Sequence, residues 1–310
     1  MEKNVSDYDK FDYNYEDYWS GKDVNRVYED KAERYVIDKL LPKPEPVSGW
    51  FCDLGGGFGR LMDLYQNRFG GVILSDYSLD SLKKAAAKYD QPNVFFVAAN
   101  AYYLPFKKDS LDALLTVRLM HHIESIPDVF AEMSRVIKPD GKLLMEFSNK
   151  KHFVEVLRAL AGKSKMKPFS LEPTKRGDLF YNFHPKYIKR ELGENQFFVE
   201  KKYSASNFRS GIFKKIFPIS LLLGIEKAFR SAFNIIDFGP SIFFLAKKGK
   251  DSKSKNSQSP LPPVTSYQLH DILVCPKCKS DSLMFLKTEV RCKECSKTYQ
   301  IIDKVYDFRV

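Results

Sequence analysis

No uncharged apolar run in this sequence reaches the roughly 18–20 residues that a membrane-crossing helix needs. The opening Met1-Glu-Lys-Asn-Val-Ser-Asp-Tyr-Asp-Lys10 also lacks the apolar core of a secretory leader, so a cytoplasmic location is expected. Cysteine is scarce: five residues in 310, an odd number that suits no disulfide framework. Four of the five fall in two Cys-x-x-Cys pairs near the carboxyl end, which in a reducing compartment points to metal; the fifth, Cys52, is expected in the core. Internal repeats are lacking too. Low complexity is confined to Lys250–Pro263, whose Ser, Lys and Pro content bars a packed core and reads as a flexible linker over 250–264.

What is present is enough apolar material, 44% of the chain, for one large domain and a smaller one. The formal net charge is +11, unevenly spread: the first 30 residues are acidic and tyrosine-rich, and the basic excess follows Lys150. A polyanionic partner, nucleic acid or an anionic membrane surface, is one reading of that excess; a plain solvated basic surface is the other.

Helical spacing of Val27, Ala32, Tyr35, Val36, Leu40 and Leu41 predicts a helix over 26–41, stopped by the prolines at 42, 44 and 46. Strand-like runs then alternate with helical ones. Strands are predicted at 50–53, 72–76, 93–98, 111–117 and 142–147, and helices at 61–69, 79–89 and 129–137. This alternation gives an α/β fold with a parallel sheet covered on both faces. A helix at 184–192 and strands at 197–203 and 241–247 complete it.

Phe51-Cys-Asp-Leu-Gly-Gly-Gly-Phe-Gly-Arg60 packs four glycines into five positions directly after the first strand. Such a turn brings backbone amides within reach of a ligand that a Cβ would obstruct. Gly55-x-Gly57-x-Gly59 lacks the spacing of pyrophosphate-binding turns, which favours a ligand without pyrophosphate. The second strand ends at Asp76, placed to accept the hydroxyls of a ribose. The third leads into Asn100-Ala101 and Leu104-Pro-Phe106, an amide and apolar surface for a purine. Strand ends also carry Asp and Asn merely as turn formers; the recurrence at consecutive strands is what points to a site.

Asp53-Leu-Gly-Gly-Gly-Phe-Gly59, Leu74-Ser-Asp-Tyr-Ser78, Leu104-Pro-Phe106 before Ser110-Leu-Asp112, Met120-His-His122 and Arg135-Val-Ile-Lys-Pro-Asp-Gly141 together resemble the class I S-adenosylmethionine-dependent methyltransferases, notably the ubiquinone and menaquinone C-methyltransferases. The resemblance spans about 13–248 and implies a Rossmann-like, seven-stranded sheet with helices on both faces. It also implies that Gly55, Gly57 and Gly59 skirt the methionine part of S-adenosylmethionine, that Asp76 holds the ribose, that Asn100 and Ala101 meet the adenine, and that Asp53 and Tyr77 complete the cofactor set. Asn100 stands where the family more often has Asp, and Asp140 where it has Gly. Should the acceptor have to lose a proton, His121, His122 and His184 are candidate bases, with Glu146 a weaker one. Structural roles, including capping by His184 before Pro185, compete with this.

In relatives an aromatic amino-terminal segment folds over the cofactor, so Tyr18 and Trp19 are candidate lid contacts within 1–45; docking on the core is the alternative. Between the last strands of the methyltransferase region, 46–249, an insertion at 208–238 carries Leu221, Ile225, Phe229 and Phe233 four apart, with Glu226, Lys227 and Arg230 opposite. It could cover an apolar acceptor, lie on a bilayer, or pack on its own domain.

Cys275-Pro-Lys-Cys278 and Cys292-Lys-Glu-Cys295 are separated by thirteen residues, enough for a hairpin that gathers four thiolates around one ion. A structural Zn2+ in a ribbon over 265–310 is expected; a redox pair is the alternative. This region resembles the small zinc-ribbon activator of methyltransferases that act on tRNA, rRNA and release factors. The resemblance implies a ribbon that adds a strand to the sheet edge of its methyltransferase, and the covalent tether makes docking in cis the preferred reading. No Asn-Pro-Pro-Tyr follows the fourth strand, which disfavours release factors. A small or lipid-like acceptor is preferred, RNA is second, and a zinc-ribbon adaptor on a degenerate scaffold is the non-enzymatic alternative.

Overall fold

The computed structural model describes Trp19 and residues 24–44, 47–177, 180–250 and 266–310. The lid candidate Tyr18 and most of the expected linker lie outside the described residues. An opening helix, α1 (Val24–Leu40), leads to the alternating part: β1 (Trp50–Leu54), β2 (Gly71–Asp76), α2 (Leu79–Lys88), β3 (Val94–Ala98), β4 (Leu111–Thr116), α3 (Ile126–Val136) and β5 (Ile137–Ser148). Next come α4 (Phe153–Leu160), the short hairpin β6 (Thr174–Arg176) and β7 (Phe180–Asn182), α5 (Pro185–Glu194) and β8 (Phe197–Ala205). The insertion forms α6 (Gly211–Ile216), α7 (Ile219–Ala228) and α8 (Arg230–Ile236) before β9 (Ser241–Lys248). Four short strands close the chain: β10 (Leu283–Phe285), β11 (Glu289–Cys292), β12 (Thr298–Ile302) and β13 (Val305–Asp307).

Eleven strands share one sheet in the order β10-β11-β12-β13-β3-β2-β1-β4-β5-β9-β8. From β3 to β5 neighbours run parallel, and β9 enters antiparallel between β5 and β8. Val72, Ile73 and Leu74 of β2 are all fully buried, as a strand covered on both faces requires. Sequence order reverses at β1 between β2 and β4, and a crevice opens there at the carboxyl ends of the strands.

The carboxyl-terminal strands belong to this sheet. β13 pairs parallel with β3, Val305 opposite Phe96 and Asp307 opposite Ala98, and the Phe308 amide donates to Ala98 O at 2.8 Å. On the opposite side of the contact, Val274 N bonds Pro105 O at 2.9 Å, Lys107 N bonds Ile272 O at 2.8 Å, and Lys279 Nζ bonds Glu132 at 2.6 Å. Leu269, Leu273, Val290, Tyr299 and Phe308 join the same apolar cluster as Leu111, Phe130 and Phe147.

Two expectations need correction. Residues 61–69 were expected to be a helix, but only Met62–Leu64 form a turn of 3-10 helix, with Leu64, Tyr65 and Arg68 each bonding three residues back. Leu61, Met62, Tyr65 and Phe69 are buried at helical spacing, so the apolar pattern was real while the backbone winds tighter. The insertion helix is interrupted at Phe229, and Glu226, expected opposite the apolar stripe, is buried. Its carboxylate accepts the Tyr28 hydroxyl and, at 2.8 Å, the Ser206 amide; two buried donors outweigh the apolar stripe in setting the helix's rotation.

Candidate active site

A cavity of about 1150 Å³ occupies the crevice. Its floor is the glycine turn. Gly55 and Gly56 amides both donate to Ser75 O, at 2.8 and 3.2 Å, folding the turn against the end of β2. Gly55 has φ +80°, and a Cβ there would stand 2.9 Å from Leu119 Cβ; Gly57, at φ +54°, borders open space near Asp76. Only glycine takes both conformations without strain. The Asp76 carboxylate is held from two sides, by the Gly57 amide at 2.8 Å and the Ser78 amide at 2.9 Å.

Of the residues expected to hold a donor, Gly55, Gly57, Asp76, Tyr77 and Ala101 line the cavity, while Asp53, Gly59 and Asn100 do not. Asp53 lies buried beneath the turn, accepts the Tyr65 hydroxyl at 2.6 Å, and is pushed up to about 7, chiefly by burial and also by the Asp76 charge. Gly59 packs against Tyr89, whose hydroxyl donates to Gly59 O at 3.2 Å. Asn100 turns back on its own backbone, Oδ1 accepting the Tyr102 amide at 3.0 Å, the turn that Asn favours at a strand end.

Among the candidate bases, His121 and His122 line the cavity with ring centroids 4.0 Å apart, and His121 stacks on Phe180 at 4.2 Å. Burial, then the neighbouring His122, Arg118 and Arg209, hold His121 well below the usual imidazole range, so it is neutral at pH 7. His184 is not brought to the cavity. It is buried as the N-cap of α5, Nδ1 accepting the Lys186 amide at 3.1 Å. Glu146 is likewise outside the cavity; buried in β5, it is raised by desolvation and accepts the Arg118 amide at 3.1 Å.

Several cavity residues were not anticipated. His152, the N-cap of α4, lines the cavity and is lowered to about 4, mainly by burial. Above it a charged network ties α1 to the rest. Glu29 meets Arg26 at 2.9 Å, Arg209 at 2.8 Å, Arg118 at 3.2 Å and Lys214 at 3.7 Å. Glu33 pairs with Arg60 at 2.8 Å and with Arg118. Burial alone would raise Glu29, but Arg209, Arg118 and Arg26 outweigh it and hold the group at about 2. Arg118 has a left-handed backbone, φ +60°, fixed by Glu146 at its amide and by α1 at its guanidinium. Trp19 lies under both Arg60 and Arg118, its ring centroid 4.1 and 4.6 Å from their guanidinium carbons. It thus packs behind Arg118, which lines the cavity, and is not itself among the lining residues.

Outside the cavity lining, the four thiols of Cys275, Cys278, Cys292 and Cys295 lie within 4.8 Å of one another, with Cys275–Cys295 at 3.6 Å and Cys278–Cys292 at 3.5 Å. These separations are too long for disulfides and close to the about 3.8 Å edge of a tetrahedron of sulfurs with 2.3 Å metal bonds. The donor set therefore fits Zn2+. At the rim between the two regions, Arg309 donates to Tyr77 O at 3.3 Å and lies 5.5 Å from the Tyr77 ring centre.

Comparison with known proteins agrees with this geometry. Residues 52–145 match a methyltransferase-domain family. Demethylmenaquinone methyltransferase of Renibacterium salmoninarum is 31% identical over 146 residues, 44% of this chain and 60% of the relative. The ubiquinone/menaquinone biosynthesis C-methyltransferase UbiE of Shewanella oneidensis is 34% identical over 134 residues, 41% of this chain and 51% of the relative. The chain thus spans about half the length of the curated relatives it matches. In solved structures, an S-adenosylmethionine-dependent methyltransferase from Listeria monocytogenes superposes with a TM-score of 0.53 at 16% identity, covering 72% of this chain and all of that one. A chain from a complex of the Haloferax volcanii Trm112 methyltransferase activator gives 0.52 at 16% identity, covering 77% of this chain and 99% of that one. Residues 52–145 are thus similar to a methyltransferase domain, and the chain shares the Rossmann-like fold of these solved structures.

Proposed function

We propose that the chain is an S-adenosylmethionine-dependent methyltransferase acting on a small, lipid-like acceptor. The observation that carries this reading is one continuous cavity with a bare-backbone turn and an anchored carboxylate at its sheet end and apolar and imidazole groups on its other walls. When bound, S-adenosylmethionine supplies a methyl group already activated by a sulfonium. Gly55 and Gly57 would give it room, and the Asp76 carboxylate would accept its ribose hydroxyls. The chain's remaining work is alignment and exclusion of water, a proximity effect of up to about 7–11 kcal/mol. Phe153, Val154, Phe180 and Phe238 supply the apolar walls. His121 and His152, both neutral at pH 7, can take a proton from an acceptor that must lose one. The two relatives named above carry quinone-pathway names, which supports a small acceptor over a macromolecular one.

Cys275, Cys278, Cys292 and Cys295 would hold a structural Zn2+ that fixes the module joined to β3 and takes no part in the chemistry. In small zinc modules such ligation is worth about 10–16 kcal/mol.

RNA is the second reading, favoured by the net charge of +11. Titration calorimetry with S-adenosylmethionine tests the donor assignment. Asp76→Ala should weaken binding about 100-fold, from two charge-assisted hydrogen bonds at roughly 1.5 kcal/mol each. Absence of binding to the unaltered protein would return it to the scaffold alternative. Incubation with labelled donor and cell fractions then reads the acceptor: label in the lipid or small-molecule fraction supports the proposal, and label in RNA replaces it.

A further inference from the structure

One helix beside the cavity mouth, α4, is turned inside out. In α4 the acid, Glu155, is 3% exposed, bonded by Arg158 and, at 3.1 Å, by Ser164 Oγ. Phe153, Val154, Leu157 and Leu160 face solvent instead, Leu160 with 75% of its surface exposed. An ordinary surface helix does the reverse. α7 buries Glu226 beside Leu222 and leaves Leu221 exposed. Ile212 and Ile216 of α6 are 68% and 64% exposed, and Ile235 of α8 is 78% exposed. Among the described residues, every exposed large apolar side chain except Val47, Phe198, Leu286 and Val310 lies in 153–180 or 212–236. A run of ring contacts, Phe153–Phe238 at 4.8 Å, Phe238–Phe233 at 4.9 Å, Phe233–Phe208 at 5.9 Å and Phe208–Phe213 at 5.5 Å, links α4 to α6 across this region. Phe153, Val154, Phe213 and Phe238 also line the cavity, so the exposed apolar surface is continuous with its mouth.

Charge identifies what covers it. Residues 151–177 hold seven Lys or Arg against Glu155 and Glu172, and Glu155 is buried; residues 209–230 hold five against the buried Glu226. Lys163, Lys165, Lys167, Lys175, Arg176, Lys215 and Lys227 are exposed. A second copy seated here would set cation against cation. An anionic bilayer surface meets both features, since phosphates neutralise the basic residues while Leu, Ile and Phe enter the headgroup boundary. No described helix is long and apolar enough to cross a membrane, so the contact is peripheral.

We propose that the surface formed by α4, α6, α7 and α8 seats the protein on an anionic membrane, with the cavity mouth toward the lipid. That an acceptor enters from the lipid rests on the acceptor reading above; the seating itself does not. Flotation of the full chain with phosphatidylcholine vesicles, with and without phosphatidylglycerol, tests it in the absence of donor and acceptor. Binding is expected only to the phosphatidylglycerol vesicles at low salt. Leu157→Asp with Leu160→Asp, and separately Ile212→Asp with Ile216→Asp, should each lower it by about tenfold or more. Both pairs are exposed, so circular dichroism and affinity for S-adenosylmethionine should stay as in the unaltered protein. Failure to float with anionic vesicles, or aspartate variants that float as well as the parent, would overturn the proposal. Salt-sensitive binding to RNA that displaces the vesicles and ignores the aspartates would assign the cations to nucleic acid and overturn it equally.

Discussion

At Gly55 the backbone geometry and the neighbouring side chain make the same demand. Gly55→Ala adds a strained conformation and a 2.9 Å contact with Leu119, so it should cost about 1–3 kcal/mol in urea unfolding and weaken donor binding with it. Asp53 gives a pH signature. Its folded value, about 7, lies above the ordinary Asp value, so the folded state keeps a proton that the unfolded chain has lost, and stability falls as pH rises through that window. Asp53→Asn removes this dependence. Its stability relative to the parent should climb from near pH 4 to near pH 7 and level off beyond, as denaturation at several pH values would show. The histidines act oppositely on rate: with His152 at about 4 and His121 also depressed, an acid limb of kcat belongs well below 6.5. A limb at 6.5 would exclude both as the base. The places of Gly55, Gly57 and Asp76 at the cavity and of the four cysteines together were legible because each sits at a strand end or in a short local motif, whereas Gly59 of the same turn packs on Tyr89. His152 was missed because its burial comes from segments far along the chain. Its one local signal was a histidine opening the helix that follows the carboxyl end of β5, where this fold collects functional groups.

Strand and helix alternation was readable because each sheet strand is a short apolar run bounded by turn residues, and β1 to β5 form near their expected positions. Rotation of a helix about its own axis was not readable in α7. Apolar spacing set Glu226 opposite the stripe of Leu221 without fixing which face turns inward, whereas Tyr28 and the Ser206 amide, distant in sequence, draw the carboxylate in. The pairing of α1 with the cavity wall through Glu29, Glu33 and Arg118 was hidden for the same reason, with 85 residues separating Glu33 from Arg118. Tyr28→Phe should cost about 1–2 kcal/mol, and combined with Glu226→Gln it should cost less than the sum of the two alone. A double-mutant cycle by chemical denaturation measures that coupling. Additive losses would mean that α1 and α7 are held together by other contacts.

Across the whole molecule, the decisive feature is that β13 converts β3 from an edge into an interior strand. Replacing Cys278 and Cys292 with serine, or stripping metal with a chelator, should therefore reach beyond the small module. The melting temperature should fall by roughly 5 °C or more. The uncovered β3 edge should promote self-association, visible as earlier elution from a sizing column. The Arg309 contact with Tyr77 adds a local readout, because loosening of the module should also weaken donor binding at the rim. Two unlinked chains sharing such a ladder would drift apart as their concentration fell. Here both sides of it are carried on one polypeptide, so turnover per molecule should hold steady on dilution.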